Sequence, residues 1–170
     1  VRHKLEMQMK ILFTLESSAG MEVKMKQIKG GVTAAKGFKA ASTAAGIKYK
    51  DRTDMAMIYS EVPCAVAGTF TTNIVKAAPV KWDQHVVYDS KKAQAVIVNA
   101  GIANACTGEE GMGYCKATAE KVNKLLQIPT DEVLVASTGV IGMQLPIDRI
   151  SAGVETIVPQ LNGDIESGHN

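Results

Sequence analysis

From Asp54 onward the sequence breaks into short apolar runs bounded by Pro, Gly and Asn, and two stretches of helical periodicity are interleaved with them. That alternation restricts the chain more than any other feature, because strands alternating with helices fold as a sheet with helices laid on it. The runs Met55–Tyr59, Ala65–Thr71, Gln94–Asn99 and Glu132–Ser137 are predicted strands. Between the last two, Gly108–Gln127 places Met112, Cys115, Ala119, Val122 and Leu126 three and four residues apart, which predicts an amphipathic helix with this stripe against the sheet. A second helix is predicted after Leu145. Pro146 suits its first position, Ile147, Ile150, Val154, Ile157 and Leu161 share one face, and Pro159 ends or kinks it. No internal repeat or low-complexity linker divides the chain, so residues 26–170 are expected to form a single α/β domain.

Residues 1–25 differ in texture. Met7, Met9, Met21 and Met25 lie among scattered Lys and Glu with no apolar period, so this stretch is expected to be an appended extension. Charge follows the same division: residues 1–50 hold ten Lys/Arg against three Asp/Glu, while the whole chain holds 19 against 17. A net charge of +2 argues against a dedicated nucleic-acid binder, which carries a strong basic surplus. The longest apolar run near the N-terminus, Ile11–Phe13, falls far short of the roughly 20 residues that span a bilayer. Cys64, Cys106 and Cys115 form no CxxC pair, so a reducing, cytoplasmic setting without a disulfide framework is expected. His3, His85 and His169 are scattered, with no spacing that would build a metal site. No metal or cofactor is expected.

Two loops carry the candidate chemistry. Asn99–Gly108 (NAGIANACTG) follows a strand and leads into a helix, the position at which α/β folds gather ligands, and it presents Asn104 as a candidate substrate contact. Its side chains also suit a simple turn. Ser137–Gly142 (STGVIG) again follows a strand, and in it Thr138 and Gly139 can offer a hydroxyl and a backbone N–H to a single oxygen atom, although the stretch taken alone reads more readily as a turn. Gly30–Phe38 is rich in small residues but lacks the order of a phosphate loop or a dinucleotide turn. A cysteine hydrolase using Cys64 or Cys106 is an alternative, although neither cysteine lies in a nucleophile motif.

The segments GGVTAAKGFKAA (30–41), DMAMIYSEVPCAVAGTF (54–70), FTTNIVKAAPVKW (70–82), VIVNAGIANACTG (96–108) and VLVASTGVIGMQLPIDRI (133–150) together resemble successive blocks of the ornithine acetyltransferases, also called glutamate N-acetyltransferases. The resemblance covers residues 28–170, in the α-chain portion of that family. Ile74 and Ile102 stand where many relatives carry an arginine and a polar residue. The resemblance implies an α/β layered sandwich of the N-terminal-nucleophile type. It also implies a precursor that cuts itself between Ala and Thr, so that a β chain opens with the threonine nucleophile. Acetyl would pass from N-acetylornithine to glutamate in arginine biosynthesis, with acetyl-CoA as a second candidate donor. Thr138 and Gly139 match the family's oxyanion-hole pair. The nucleophile would come from the β chain, in an α2β2 assembly. The alternatives are an autoprocessing aminopeptidase of similar architecture and a fragment that is non-catalytic on its own.

Overall fold

Residues 93–99 alternate strictly between buried and half-buried, and in the computed structural model, which describes residues 28–169, they lie in an inner strand of a four-stranded sheet. The strands are β1 (Phe38–Thr43), β2 (Met55–Ala65), β3 (Lys92–Asn99) and β4 (Val133–Ser137), adjacent in that order. β1, β2 and β3 pair antiparallel, whereas β3 and β4 pair parallel with Ala95 opposite Val133 and Asn99 opposite Ser137. A parallel pair needs a crossover, and helix α2 (Glu110–Leu126) supplies it. Helix α1 (Ala78–His85) precedes β3 and helix α3 (Ile147–Ile157) follows β4. The expected extension, residues 1–25, lies outside the described residues.

The core lies on one face of this sheet. Met55, Met57, Ile97, Val133 and Val135 meet Cys115, Ala119 and Val122 of α2 and Ile150, Val154 and Ile157 of α3. Of the predicted α2 stripe, Met112 is the exception, being more than a third exposed in the first turn. Gly153 lets α3 approach closely, since a Cβ there would stand 2.4 Å from Met55 Sδ. The opposite sheet face carries Ile58, Val96 and Leu134 side by side across three strands, all half-buried.

β4 is an edge strand whose outer backbone groups need partners. α1 provides them through side chains: Trp82 Nε1 donates to the Val133 carbonyl at 2.8 Å, and Asp83 Oδ1 accepts the Val135 N–H at 2.9 Å. Burial pushes the Asp83 carboxyl up to about 6, against the opposing pull of its bond from Val135. Since the folded pKa lies above the unfolded one, Asp83 contributes stability that is fully present below about pH 4 and is lost as pH rises through about 6. Asp83→Asn keeps the acceptor and removes the charge. It is expected to raise the thermal midpoint at pH 8 and to change it little at pH 4, as melts at the two values would show.

The structure corrects one predicted strand. Ala65–Thr71 is not a strand: β2 runs unbroken in sequence from Met55 to Ala65, absorbs a register shift between Tyr59 and Cys64, and ends there. Residues 66–77 are irregular because side chains satisfy the backbone locally. Thr71 Oγ1 accepts the Asn73 N–H at 3.1 Å and Asn73 Oδ1 accepts the Val75 N–H at 3.0 Å. The predicted segments 55–59, 94–99 and 132–137 lie within or at the start of β2, β3 and β4, apart from Glu132, which belongs to a 3-10 turn. α3 begins at Ile147 with Pro146 just before it, and a 3-10 turn containing Pro159 closes it.

Candidate active site

The two loops named from sequence leave neighbouring parallel strands at the same sheet end, and they stay joined beyond it. The Thr138 N–H donates to the Asn99 carbonyl at 3.0 Å, Val140 N–H to Gly101 at 3.1 Å, Ala103 N–H to Val140 at 2.9 Å and Gly142 N–H to Ala105 at 3.0 Å. Ladder-like bonding between Ile102 and Val140 therefore carries the β3–β4 pairing past the strands. Asn104 and Thr138 lie on this one shared ridge.

Close contact of the loops depends on glycine at one point. Gly139 has φ +134°, and a Cβ there would fall 2.3 Å from Gly101 C, 2.4 Å from its oxygen and 2.6 Å from Ile102 N. Only a residue without a side chain can lie this flat on the Gly101–Ile102 peptide. Beneath it, the segment carrying Lys48 is held by Asp54, whose carboxylate accepts the Ala45 and Ile47 N–H groups at 2.7 and 2.6 Å.

Thr138 and Gly139 are both exposed. Among the described residues, neither the Thr138 hydroxyl nor the Gly139 N–H donates to a protein acceptor. A hydroxyl and an amide at consecutive positions, both open to an incoming oxygen, can stabilise negative charge developing on it.

Asn104 is placed differently. It is 1% exposed, and its Nδ2 donates to the Gly111 carbonyl at 2.8 Å and to Cys115 Sγ at 3.3 Å, while Oδ1 accepts from Thr107 Oγ1 at 2.7 Å. Its carboxamide thus fastens the loop to the first turns of α2. Gly111 makes room, because a Cβ there would lie 2.2 Å from Thr107 Oγ1. The small void under the loops, lined by Asn99, Asn104, Cys115 and Ser137 among others, measures about 10 Å³. It has space for one water at most, and the exposed Thr138 and Gly139 lie on the ridge outside it.

The cysteines show no sign of activation. Burial, with the nearby Asp83 charge second, pushes the Cys115 thiol up to about 12, which leaves it protonated and inert. Cys64 Sγ lies 3.1 Å from Ser60 Oγ, and Cys106 is exposed on the ridge. His85 pairs with Asp89 at 2.6 Å, and no hydrogen bond joins a histidine to a cysteine among the described residues. Nor do three or more His, Cys, Asp or Glu side chains gather there in a group that could hold a metal. No helix among the described residues is long and apolar enough to cross a membrane.

Comparison with known proteins decides the family. The model of the ArgJ family matches residues 39–169. The chain belongs to the ArgJ family. A relative from Gloeobacter violaceus, the arginine biosynthesis bifunctional protein ArgJ, is 50% identical over 131 residues, which are 77% of this chain and 32% of the relative. The chloroplastic ArgJ of Zea mays is 42% identical over 85% of this chain and 32% of its own length. This ArgJ-family chain thus spans about a third of the length of the curated relatives it matches. Among solved structures, the arginine biosynthesis bifunctional protein ArgJ of Bacillus halodurans superposes with a TM-score of 0.79 at 41% identity, covering 85% of this chain and 74% of that one. The ornithine acetyltransferase of Mycobacterium tuberculosis, solved in complex with ornithine, superposes with a TM-score of 0.78 at 46% identity, covering 82% and 75%. The ornithine acetyltransferase resemblance and the α/β fold expected from sequence are therefore correct for this chain.

The two positions expected from sequence to differ from many relatives have opposite settings. Ile74 is 96% exposed, whereas Ile102 is buried within the ridge. The signal that would have marked Asn104 as internal was present in its neighbourhood: a buried carboxamide needs partners, and Thr107 and Gly111 follow at three and seven residues.

Proposed function

We propose that this chain is the oxyanion-hole portion of an acetyltransferase that moves acetyl from N-acetylornithine to glutamate. The observation that carries the reading is the pair of open donors, the Thr138 hydroxyl and the Gly139 N–H, on the ridge of an ArgJ-family chain. In this reaction a threonine Oγ, its proton taken by the threonine's own free amine, attacks the acetyl carbonyl of N-acetylornithine. The tetrahedral oxyanion points at Thr138 and Gly139. Its collapse expels the ornithine amine, which carries the proton away, and leaves an acetyl ester on the threonine. The glutamate amine then attacks that ester through a second oxyanion at the same two donors; its collapse breaks the bond to threonine Oγ, releases N-acetylglutamate, and passes the amine's proton through the threonine's own amine back to Oγ. The chain needs no metal or cofactor for these steps, and acetyl-CoA serves as a second donor if its thioester can reach the same ridge.

The threonine would open a β chain released from the same precursor. The lengths support this division, since the matched stretch fills about three quarters of the solved chains but about a third of the curated relatives. Exposed apolar side chains support it too. Val140, Ile141 and Met143 flank the donor pair in the open, and the half-buried ladder of Ile58, Val96 and Leu134 lines the sheet face away from the helices. In a layered sandwich the β chain covers these residues and brings its threonine to Thr138 in the same contact. An α2β2 assembly follows if two such pairs associate.

Residues 1–170 alone are expected to show no acetyl transfer, while the full-length, processed protein transfers acetyl from N-acetylornithine to glutamate. Assaying both, with peptide hydrolysis measured alongside, tests the reading. Turnover by residues 1–170 would overturn the need for a second chain, and hydrolysis of peptides without acetyl transfer would assign an aminopeptidase instead.

A further inference from the structure

We infer that Ser137 is a positioning residue for the donor pair, its hydroxyl locking the Asn99–Gly108 loop against the strand end that presents Thr138 and Gly139. The inference rests on the oxyanion reading above and assigns it a support.

Ser137 is the last residue of β4, half-buried, immediately before Thr138. Its Oγ accepts the Asn104 N–H at 3.0 Å and lies 3.2 Å from the Ile102 carbonyl, to which it donates. The proton and an acceptor site of this hydroxyl are both committed within the protein. It is therefore suited to act through its neighbours rather than on a substrate. Asn99 Nδ2 donates to the same Ile102 carbonyl at 2.9 Å, so two side chains from adjacent strands converge on one peptide oxygen. Ile102 is the residue whose amide forms the wall under Gly139, where a Cβ would come within 2.6 Å of Ile102 N. The bonded carbonyl belongs to the Ile102–Ala103 peptide and the wall under Gly139 to the Gly101–Ile102 peptide, so anchoring the carbonyl restrains the residue that joins the two units and, through it, the surface on which Gly139 rests and the direction of the Gly139 N–H. The backbone bonds from Thr138 to Asn99 and from Val140 to Gly101 hold the loops together. A third, from the Ala103 N–H to Val140 at 2.9 Å, holds the peptide unit of the Ile102 carbonyl from its N–H side, and the Ser137 and Asn99 side chains hold it at the oxygen.

A donor displaced by a fraction of an ångström still meets a neutral carbonyl but stabilises a developing oxyanion poorly. In the full-length, processed protein Ser137→Ala is therefore expected to lower kcat roughly 10- to 100-fold with KM within about threefold of the parent. Ser137→Thr keeps the hydroxyl and is expected to recover most of the lost kcat. Ser137→Cys retains the side-chain volume with a poor hydrogen-bonding group and is expected to behave like Ser137→Ala, which supplies the test if the alanine variant does not fold. Because Ser137 acts through the donor pair, Ser137→Ala combined with Thr138→Ala is expected to lose less than the product of the single losses. Amide exchange at Asn104, whose N–H bonds to Ser137 Oγ, is expected to speed up in Ser137→Ala and to recover in Ser137→Thr.

A near-normal kcat in Ser137→Ala or Ser137→Cys beside a crippled Thr138→Ala would overturn the positioning role and leave the oxyanion reading standing. Normal turnover in Thr138→Ala would overturn the oxyanion reading first, and this inference with it. Equal losses in the alanine and threonine variants, or losses that multiply in the double variant, would also overturn the inference by assigning Ser137 to packing alone.

Discussion

Thr138→Ala in the processed, full-length protein is expected to lower kcat roughly 100- to 1000-fold, the loss typical of removing one oxyanion donor. Binding of N-acetylornithine should weaken much less, because the hydroxyl interacts more strongly with the charge that develops than with the neutral acetyl oxygen. The exposed position of Thr138 and the lack of an acceptor for its hydroxyl among the described residues support a direct role. Thr138→Ser separates chemistry from turn shape. It keeps the donor and drops the methyl, so turnover near that of the parent is expected if the hydroxyl is what matters. A serine variant as impaired as the alanine variant would assign Thr138 to the turn instead. Under the proposed self-cleavage of the precursor, slower processing is a second expected consequence in Thr138→Ala, since an N-to-O acyl shift also passes through a tetrahedral oxyanion. Kinetics are therefore best compared on fully processed material, with mass spectrometry of the two chains as the check.

Gly139→Ala should have the largest effect on the fold of the ridge. Two costs combine there: a φ of +134° that side-chain-bearing residues rarely adopt, and a Cβ within 2.3–2.6 Å of the Gly101–Ile102 peptide. The obstacle is backbone, which cannot turn aside as a flexible side chain would. Strain at such a dihedral costs about 1–3 kcal/mol, and forcing atoms into a packed contact adds about as much. A fall of roughly 5–15 °C in the thermal midpoint is expected. Catalysis should fall at least as far as in Thr138→Ala, because displacing the Gly101–Ile102 contact redirects the Gly139 N–H. Gly142→Ala is the control within the same loop. Gly142 also has a positive φ, +82°, but a Cβ there would meet nothing within 4 Å. It should cost only the backbone strain, about 1 kcal/mol. Equal melting temperatures for the two variants would show that the Gly101 contact does not decide the geometry of this loop.

The pattern of residues was enough to place β3, α2, β4 and α3 in order. Their apolar periods of two and of three to four residues are local, and each period can serve only one kind of element. The family blocks were equally legible. β1 and α1 escaped because their signals are weak where local pattern is the only guide. Phe38–Thr43 is rich in small residues that carry little apolar period, and α1 has eight residues. What makes α1 necessary lies outside its own sequence, in the unpaired outer edge of β4 that Trp82 and Asp83 cover. The false strand at Ala65–Thr71 arose from β-branched composition, which competing turns at Thr71 and Asn73 overrode. Only tertiary structure could separate Asn104 from Thr138. Both are polar residues in loops after strands, yet one carboxamide is fully satisfied inside the protein while the other residue's hydroxyl stands open. Sequence fixes which groups a loop carries and which backbone angles its glycines permit. The direction in which each group points is set by packing against distant segments, because a polar side chain turns inward only where another part of the chain supplies its hydrogen-bond partners.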